Sequence, residues 1–133
     1  MIDFNKNAEL IKATKEGNLN KVVKLIQNGA DVNTKTGIGG TPLMYAATYS
    51  ENAEIIDKLT NAGANVNSKT DKGWTPLMFA AAYNNNSEIV AKLIELGADI
   101  EAEDKDNYTP LMLAIKNNEN PKIIDMLIIA EAN

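Results

Sequence analysis

The chain has no cysteine, no histidine and no arginine. The first two absences exclude thiolate and imidazole metal sites, disulfides, and catalysis by a Cys or His nucleophile or base. They leave the compartment open, because a cysteine-free chain folds in either redox setting. The third absence means that all 13 cations are Lys; with 18 asparagines beside them, this is the coding bias of an AT-rich genome, such as a bacterium's, rather than a physical signal. No segment approaches the 18 or so apolar residues of a membrane span, so no membrane association is expected. Met1–Asn7 lacks the basic start and apolar run of a signal peptide. The net charge of −5 argues against nucleic acid, whose phosphates need clustered cations. There is no phosphate-cradling glycine loop: Gly37-Ile38-Gly39-Gly40 follows no strand-to-helix pattern. Aromatic residues are scarce, seven in all.

What the sequence does have is an internal period. Thr41-Pro42-Leu43-Met44 recurs as Thr75-Pro76-Leu77-Met78 and Thr109-Pro110-Leu111-Met112, at intervals of 34 residues. Each copy reads as a helix start, with Thr capping and Pro at the first helical position. Self-similarity at this period means stacked supersecondary units. Four are expected, at about 8–40, 41–74, 75–108 and 109–133, making a single unit over 1–133. In the first, Ala8-Glu9-Leu10-Ile11 stands where the Thr-Pro copies stand later. Residues 1–7 read as a loose lead-in, with Asn7 as N-cap and Phe4 packing on the first unit. The second helices carry Val22, Leu25 and Ile26; Ile55, Ile56 and Leu59; and Ile89, Val90, Leu93 and Ile94 at helical spacing. Gly29, Gly63 and Gly97 end them. Ala30-Asp31-Val32-Asn33, Ala64-Asn65-Val66-Asn67 and Ala98-Asp99-Ile100-Glu101 follow, and then turn-rich segments over 34–40, 68–74 and 102–108 that read as extended, hairpin-like fingers.

With these motifs in register over about residues 5–133, the chain resembles the ankyrin repeat family. The resemblance rests on the Thr-Pro-Leu copies, Ala46-Ala47 and Ala80-Ala81, the Gly-Ala-Asp/Asn-Val/Ile strings, and Gly39 and Gly73 before two of the helix starts. It implies a mainly α solenoid of helix pairs with β-hairpin fingers. It also implies a non-catalytic function: binding another protein through a concave face of fingertips and first helices. Met44, Met78 and Met112 stand where the family usually has a His that ties the loop, so looser loops are expected. Asn107 replaces the pre-helix Gly, and Asn tolerates the same left-handed backbone.

By the resemblance, the partner-facing positions include Ile38, Lys72, Trp74, Lys105, Asp106 and Tyr108 on the fingers, and Tyr49, Tyr83 and Lys116 on the first helices. Large aromatics at such places suit anchoring, while Tyr45 and Phe79 read as packing between repeats. The acidic third finger (Glu101, Glu103, Asp104, Asp106) is not a calcium loop, because Thr109 and Ile115 stand where Gly and a final carboxylate are needed. No metal, cofactor or catalytic residue is assigned. Charge runs along the stack, from six Lys against four acids over 1–40 to two Lys against seven acids over 75–108. Met126 and Ile129 replace polar residues of the earlier second helices. This marks the last helix as a candidate self-association surface, and a monomer or weak homodimer is expected. The expected location is the cytoplasm; the alternative is export from a bacterium as an effector.

Overall fold

Thr41, Thr75 and Thr109 are extended N-caps, whose hydroxyls accept from the N–H groups of Met44, Met78 and Met112 at 3.4, 3.3 and 3.3 Å. The prolines that follow have no N–H to leave unpaired. The computed structural model describes residues 4–133, which form eight helices and no strand. These are α1 (Phe4–Glu16), α2 (Leu19–Gln27), α3 (Pro42–Tyr49), α4 (Ala53–Asn61), α5 (Pro76–Tyr83), α6 (Ser87–Glu95), α7 (Pro110–Asn117) and α8 (Pro121–Ala132). The first three second helices, α2, α4 and α6, end at Gly29, Gly63 and Gly97 as the sequence predicts. At Gly63 the backbone turns left-handed (φ 104°), and the Ala64 N–H closes onto the Leu59 carbonyl at 3.0 Å.

The helices pair as α1/α2, α3/α4, α5/α6 and α7/α8. The odd-numbered inner helices pack on one another in order, and the even-numbered outer helices do the same. Ala46, Ala47, Ala80, Ala81 and Ala114 are buried, and their small side chains let the inner helices approach closely. Leu10, Leu43 and Leu77 are fully buried in one continuous core with Ile55, Leu59, Ile89, Leu93, Ile123 and Leu127; Leu111, in the last pair, is half-buried against the same core. Truncating a fully buried Leu to Ala costs about 2–5 kcal/mol, so no helix pair would hold together without its neighbours.

Asparagines stitch the joints. Asn33 donates to the Gly63 carbonyl at 3.0 Å and accepts the Asn65 N–H at 2.9 Å; Asn67 treats Gly97 and Asp99 alike, at 3.1 and 2.8 Å. At the far end of the inner helices, Asn84 donates to the carbonyls of Ala47 and Ser50, both at 2.9 Å. Asn118 repeats this on Ala81 and Asn84. Asn86 and Asn120 reach Glu51 and Asn85, one repeat earlier. Much of the asparagine that reads as coding bias therefore has structural work between repeats. On the outer side Lys92 bridges to Asp57 of the preceding pair at 3.4 Å and to Glu95 at 3.6 Å. The bond to Asp57, followed by the two carboxylate charges, raises its pKa above the ordinary lysine value, outweighing the opposing effect of desolvation.

Three expectations are corrected. The lead-in is helical from Phe4, so Asn7 is no N-cap; its side chain accepts the Asp31 N–H at 2.8 Å and ties α1 to the first loop. Residues 1–3 and the Phe4 ring lie outside the described residues. The fingers form no β-hairpin strands among the described residues. Each is a tight loop closed by two backbone bonds: Thr36 N–H to Gly40 O and Gly39 N–H to Thr36 O, both at 2.9 Å; Thr70 N–H to Trp74 O and Gly73 N–H to Thr70 O, both at 2.9 Å; and Asp104 N–H to Tyr108 O and Asn107 N–H to Asp104 O, both at 3.0 Å. Single bonds from Asp71 N–H to Ile38 O and from Lys105 N–H to Lys72 O join neighbouring fingers, both at 3.1 Å, and the pairing stops before a ladder forms. Finally, the loops do not go untied without His. The N–H groups of Gly40, Trp74 and Tyr108 donate to side chains within the same finger, Thr36, Thr70 and Asp104, at 3.1, 3.1 and 2.9 Å. In the second repeat the Met44 sulfur itself accepts the Thr41 N–H at 3.4 Å.

Candidate functional site

Two hollows lie side by side between the fingers and the inner helices. One, of about 470 Å³, is lined by Ile38, Gly40, Met44, Tyr45, Thr48, Tyr49, Phe79 and Tyr83. The other, of about 390 Å³, is lined by Ile38, Thr70, Asp71, Lys72, Trp74, Phe79 and Tyr83. They share Ile38, Phe79 and Tyr83, so they make one groove with a ridge across it. Its exposed large hydrophobic members are Ile38 (64%), Tyr49 (60%) and Tyr83 (57%). These are large apolar side chains at which water is poorly accommodated.

The groove is shaped by its aromatic floor. Trp74 packs on Phe79 with ring centroids 5.0 Å apart, and stacks on Tyr83 at 5.8 Å. Its indole N–H donates to Asp104 of the next finger at 2.9 Å. Asp104 is buried, and its other oxygen accepts the N–H groups of Asp106 and Tyr108 at 2.8 and 2.9 Å. Trp74 is therefore half anchor and half strut. One face sits in the groove, while the N–H fastens the second finger to the third. Gly39 and Gly73 let successive fingers lie close. Their φ values are 83° and 84°, and a Cβ at Gly73 would stand 3.2 Å from the Asp104 Cα. Asn107 takes the corresponding left-handed place at φ 67°.

Of the residues singled out from the sequence, the structure brings Ile38, Tyr49, Lys72, Trp74 and Tyr83 to this groove. Lys105, Asp106, Tyr108 and Lys116 lie beyond it, on the third finger and α7. Lys105 and Asp106 are exposed. Tyr108 is half-buried in a small cluster with Met78, Ala82, Ala102, Leu113 and Trp74. The Lys116 ammonium stands 4.8 Å above the Tyr108 ring and donates to its hydroxyl at 3.4 Å. Tyr45 and Phe79, which read as packing residues, also line the groove; both are half-buried, so they do both. Lys15 lies 4.7 Å from the Tyr45 ring centroid. Alternation along α3 and α5 hints at Tyr45 and Phe79, because each lies four residues before an exposed Tyr on the same helix face.

Met126 and Ile129 sit elsewhere, in an apolar furrow with Ala91, Ile94 and Ile100 between α6 and α8. Met126 is half-buried there and Ile129 is exposed. The larger unexpected feature is on the last helix pair, α7 and α8. Met112 is 50% exposed, where its counterparts Met44 and Met78 are 2% and 0% exposed. Ile115, on the same helix, and Ile128, on α8, are exposed as well.

A family model described as ankyrin repeats (3 copies) matches residues 10–104 and again 43–133. The chain belongs to the ankyrin repeat family. Ankyrin repeats are generally protein–protein interaction modules, and the family is typically non-enzymatic. Among curated proteins the chain is similar to the mitochondrial disaggregase of Homo sapiens, 43% identical over 49 residues. That match takes in 37% of this ankyrin chain and 7% of the disaggregase, so the chain spans only a small part of that relative's length. Among the described residues no helix is long and apolar enough to cross a membrane, and no group of acidic residues could hold a metal ion.

Proposed function

We propose that residues 1–133 act as one ankyrin domain that binds a partner protein, without catalysis, through the concave face of its fingers and inner helices. The observation that carries this is the groove. Ile38, Tyr49 and Tyr83 stand exposed around an aromatic floor that is already braced by Trp74 and Asp104. A braced floor loses little freedom on binding, and exposed rings above it gain by leaving water. Lys72 borders the groove, and Lys105, Asp106, Tyr108 and Lys116 extend the contact along the third finger and α7. The test is affinity purification from the source cells with the wild type beside Tyr49→Ala/Tyr83→Ala. Both side chains are more than half exposed, and Tyr83 alone of the two stacks on Trp74, so the variant should melt close to the wild type and lose the partner. A partner retained in full by a folded variant would remove the groove from the account.

A second reading is favoured by Met112. It is half exposed at a position that is covered in the inner repeats, and Ile115 and Ile128 extend the same bare end. Ile115 stands where Ala47 and Ala81 are buried against the next inner helix. A second copy of this chain, meeting the end face by two-fold symmetry, fits a surface without charge at its centre. Met126 and Ile129 would lie at the margin of that contact.

A further inference from the structure

The charges divide across the stack as well as along it. The inner helices and fingers (4–17, 34–49, 68–83 and 102–117) carry eight Lys against six acids. The outer helices and their loops (18–33, 50–67, 84–101 and 118–133) carry five Lys against eleven acids. So the edge bearing the groove is net positive on a molecule of net charge −5.

The state of those lysines matters more than their number. Lys15, Lys35, Lys72, Lys105 and Lys116 make no ion pair with any described residue, whereas Lys12 pairs with Glu16 and Lys92 with Asp57 and Glu95. Lys15 and Lys116 instead rest over the rings of Tyr45 and Tyr108. A ring face holds a cation in place without neutralising it, so both ammoniums keep their charge for a partner. One acid on this edge is already occupied, since Asp104 accepts from Trp74, Asp106 and Tyr108. Asp71 is the carboxylate in the groove wall, and Asp106 lies on the finger beyond.

We infer that the groove takes an acidic, extended peptide segment of a partner protein. An aromatic or leucine side chain of that segment would enter one of the hollows on either side of Ile38, Phe79 and Tyr83, and its Asp or Glu residues would face Lys15 on one side and Lys72 and Lys116 on the other. This rests on the groove reading above and names the chemistry of its occupant. A nucleic acid strand fits less well. It would bring a phosphate at every step to a wall containing Asp71, on a molecule that is acidic elsewhere. Lys72 stands in the groove wall and Lys15 and Lys116 flank it, which suits charge that steers and selects around an apolar anchor.

The test pans a displayed library of random 12-residue peptides against the immobilised full chain, and measures the selected peptides by the emission of Trp74, the only tryptophan. Acid-rich peptides around a Phe, Tyr, Trp or Leu should be enriched. Lys15→Glu/Lys72→Glu should weaken them roughly tenfold at low salt, with a smaller loss at high salt. Neutral or basic peptides that still depend on Tyr49 and Tyr83 would overturn the acidic assignment and leave the groove standing. Peptides indifferent to Tyr49→Ala/Tyr83→Ala, or no enrichment above that variant, would overturn both. A 12-nucleotide dT strand that quenches Trp74 and binds more tightly than every selected peptide would assign the edge to nucleic acid instead.

Discussion

At the scale of single residues, the asparagines show how much depends on what a side chain reaches. Asn84 is buried and bonds two carbonyls of the preceding repeat. Asn85, its neighbour, is exposed and makes no side-chain hydrogen bond. Removing the Asn84 carboxamide leaves Ala47 and Ser50 with unmet carbonyls in a dry joint, which costs about 2–4 kcal/mol over two groups. Asn84→Ala should therefore lower the urea midpoint clearly, and Asn85→Ala should stay within about 0.5 kcal/mol of wild type. Equal effects from the two would remove the stitching role. This part of the fold was not legible beforehand. The same joint position is filled by Ser50, Asn84 and Asn118 in turn, and the loop position by Asn33, Asn67 and Glu101. A run of Asn-Asn-Asn at 84–86 gives no hint which carboxamide turns inward.

At the scale of elements, the helices could be read almost to the residue and the fingers could not. Thr-Pro marks the starts of α3, α5 and α7 because the cap and the missing N–H act locally, within one turn. The start of α1 was misplaced because nothing like Thr-Pro stands there, and Asn7, which resembles a cap, is used in a long-range bond to Asp31. Whether a finger becomes a strand depends on a second hydrogen bond to the next finger, a tertiary matter that turn-forming residues do not disclose. Close approach of the fingers depends on Gly73. Its left-handed backbone and the nearby Asp104 Cα leave no comfortable place for a methyl group. Gly73→Ala should cost about 1–3 kcal/mol, and it should also loosen Trp74 from Asp104, seen as a red-shifted tryptophan emission. An unshifted spectrum with an unchanged melt would show that the fingers are less closely coupled than the Trp74–Asp104 bond implies.

At the scale of the whole molecule, a stack of near-identical pairs has two unlike ends and two unlike edges. Met112 and Ile115 are exposed where their counterparts Met44, Met78, Ala47 and Ala81 are buried, and Ile128 is exposed where Thr60 and Ile94 are half-buried, whereas the sequence alone points to Met126 and Ile129 on the same last helix. Sedimentation equilibrium over a wide concentration range should show wild-type dimers that Ile115→Lys/Ile128→Glu abolishes, with Met126→Lys/Ile129→Glu weakening them less. A wild type that stays monomeric throughout would leave the end face without an occupant of its own kind. The edges differ in kind. The outer one is acidic and joined by Lys92, whereas the inner one is aromatic, braced and flanked by unpaired lysines.

Where a partner touches the chain is the most direct test of the groove. Backbone amide shifts of the isotope-labelled chain should be followed while the captured partner, or a selected peptide, is added. Changes are predicted at Ile38, Tyr49, Lys72, Trp74, Phe79 and Tyr83, with α4 and α6 left undisturbed. Changes concentrated on the outer helices, with the groove unmoved, would contradict it.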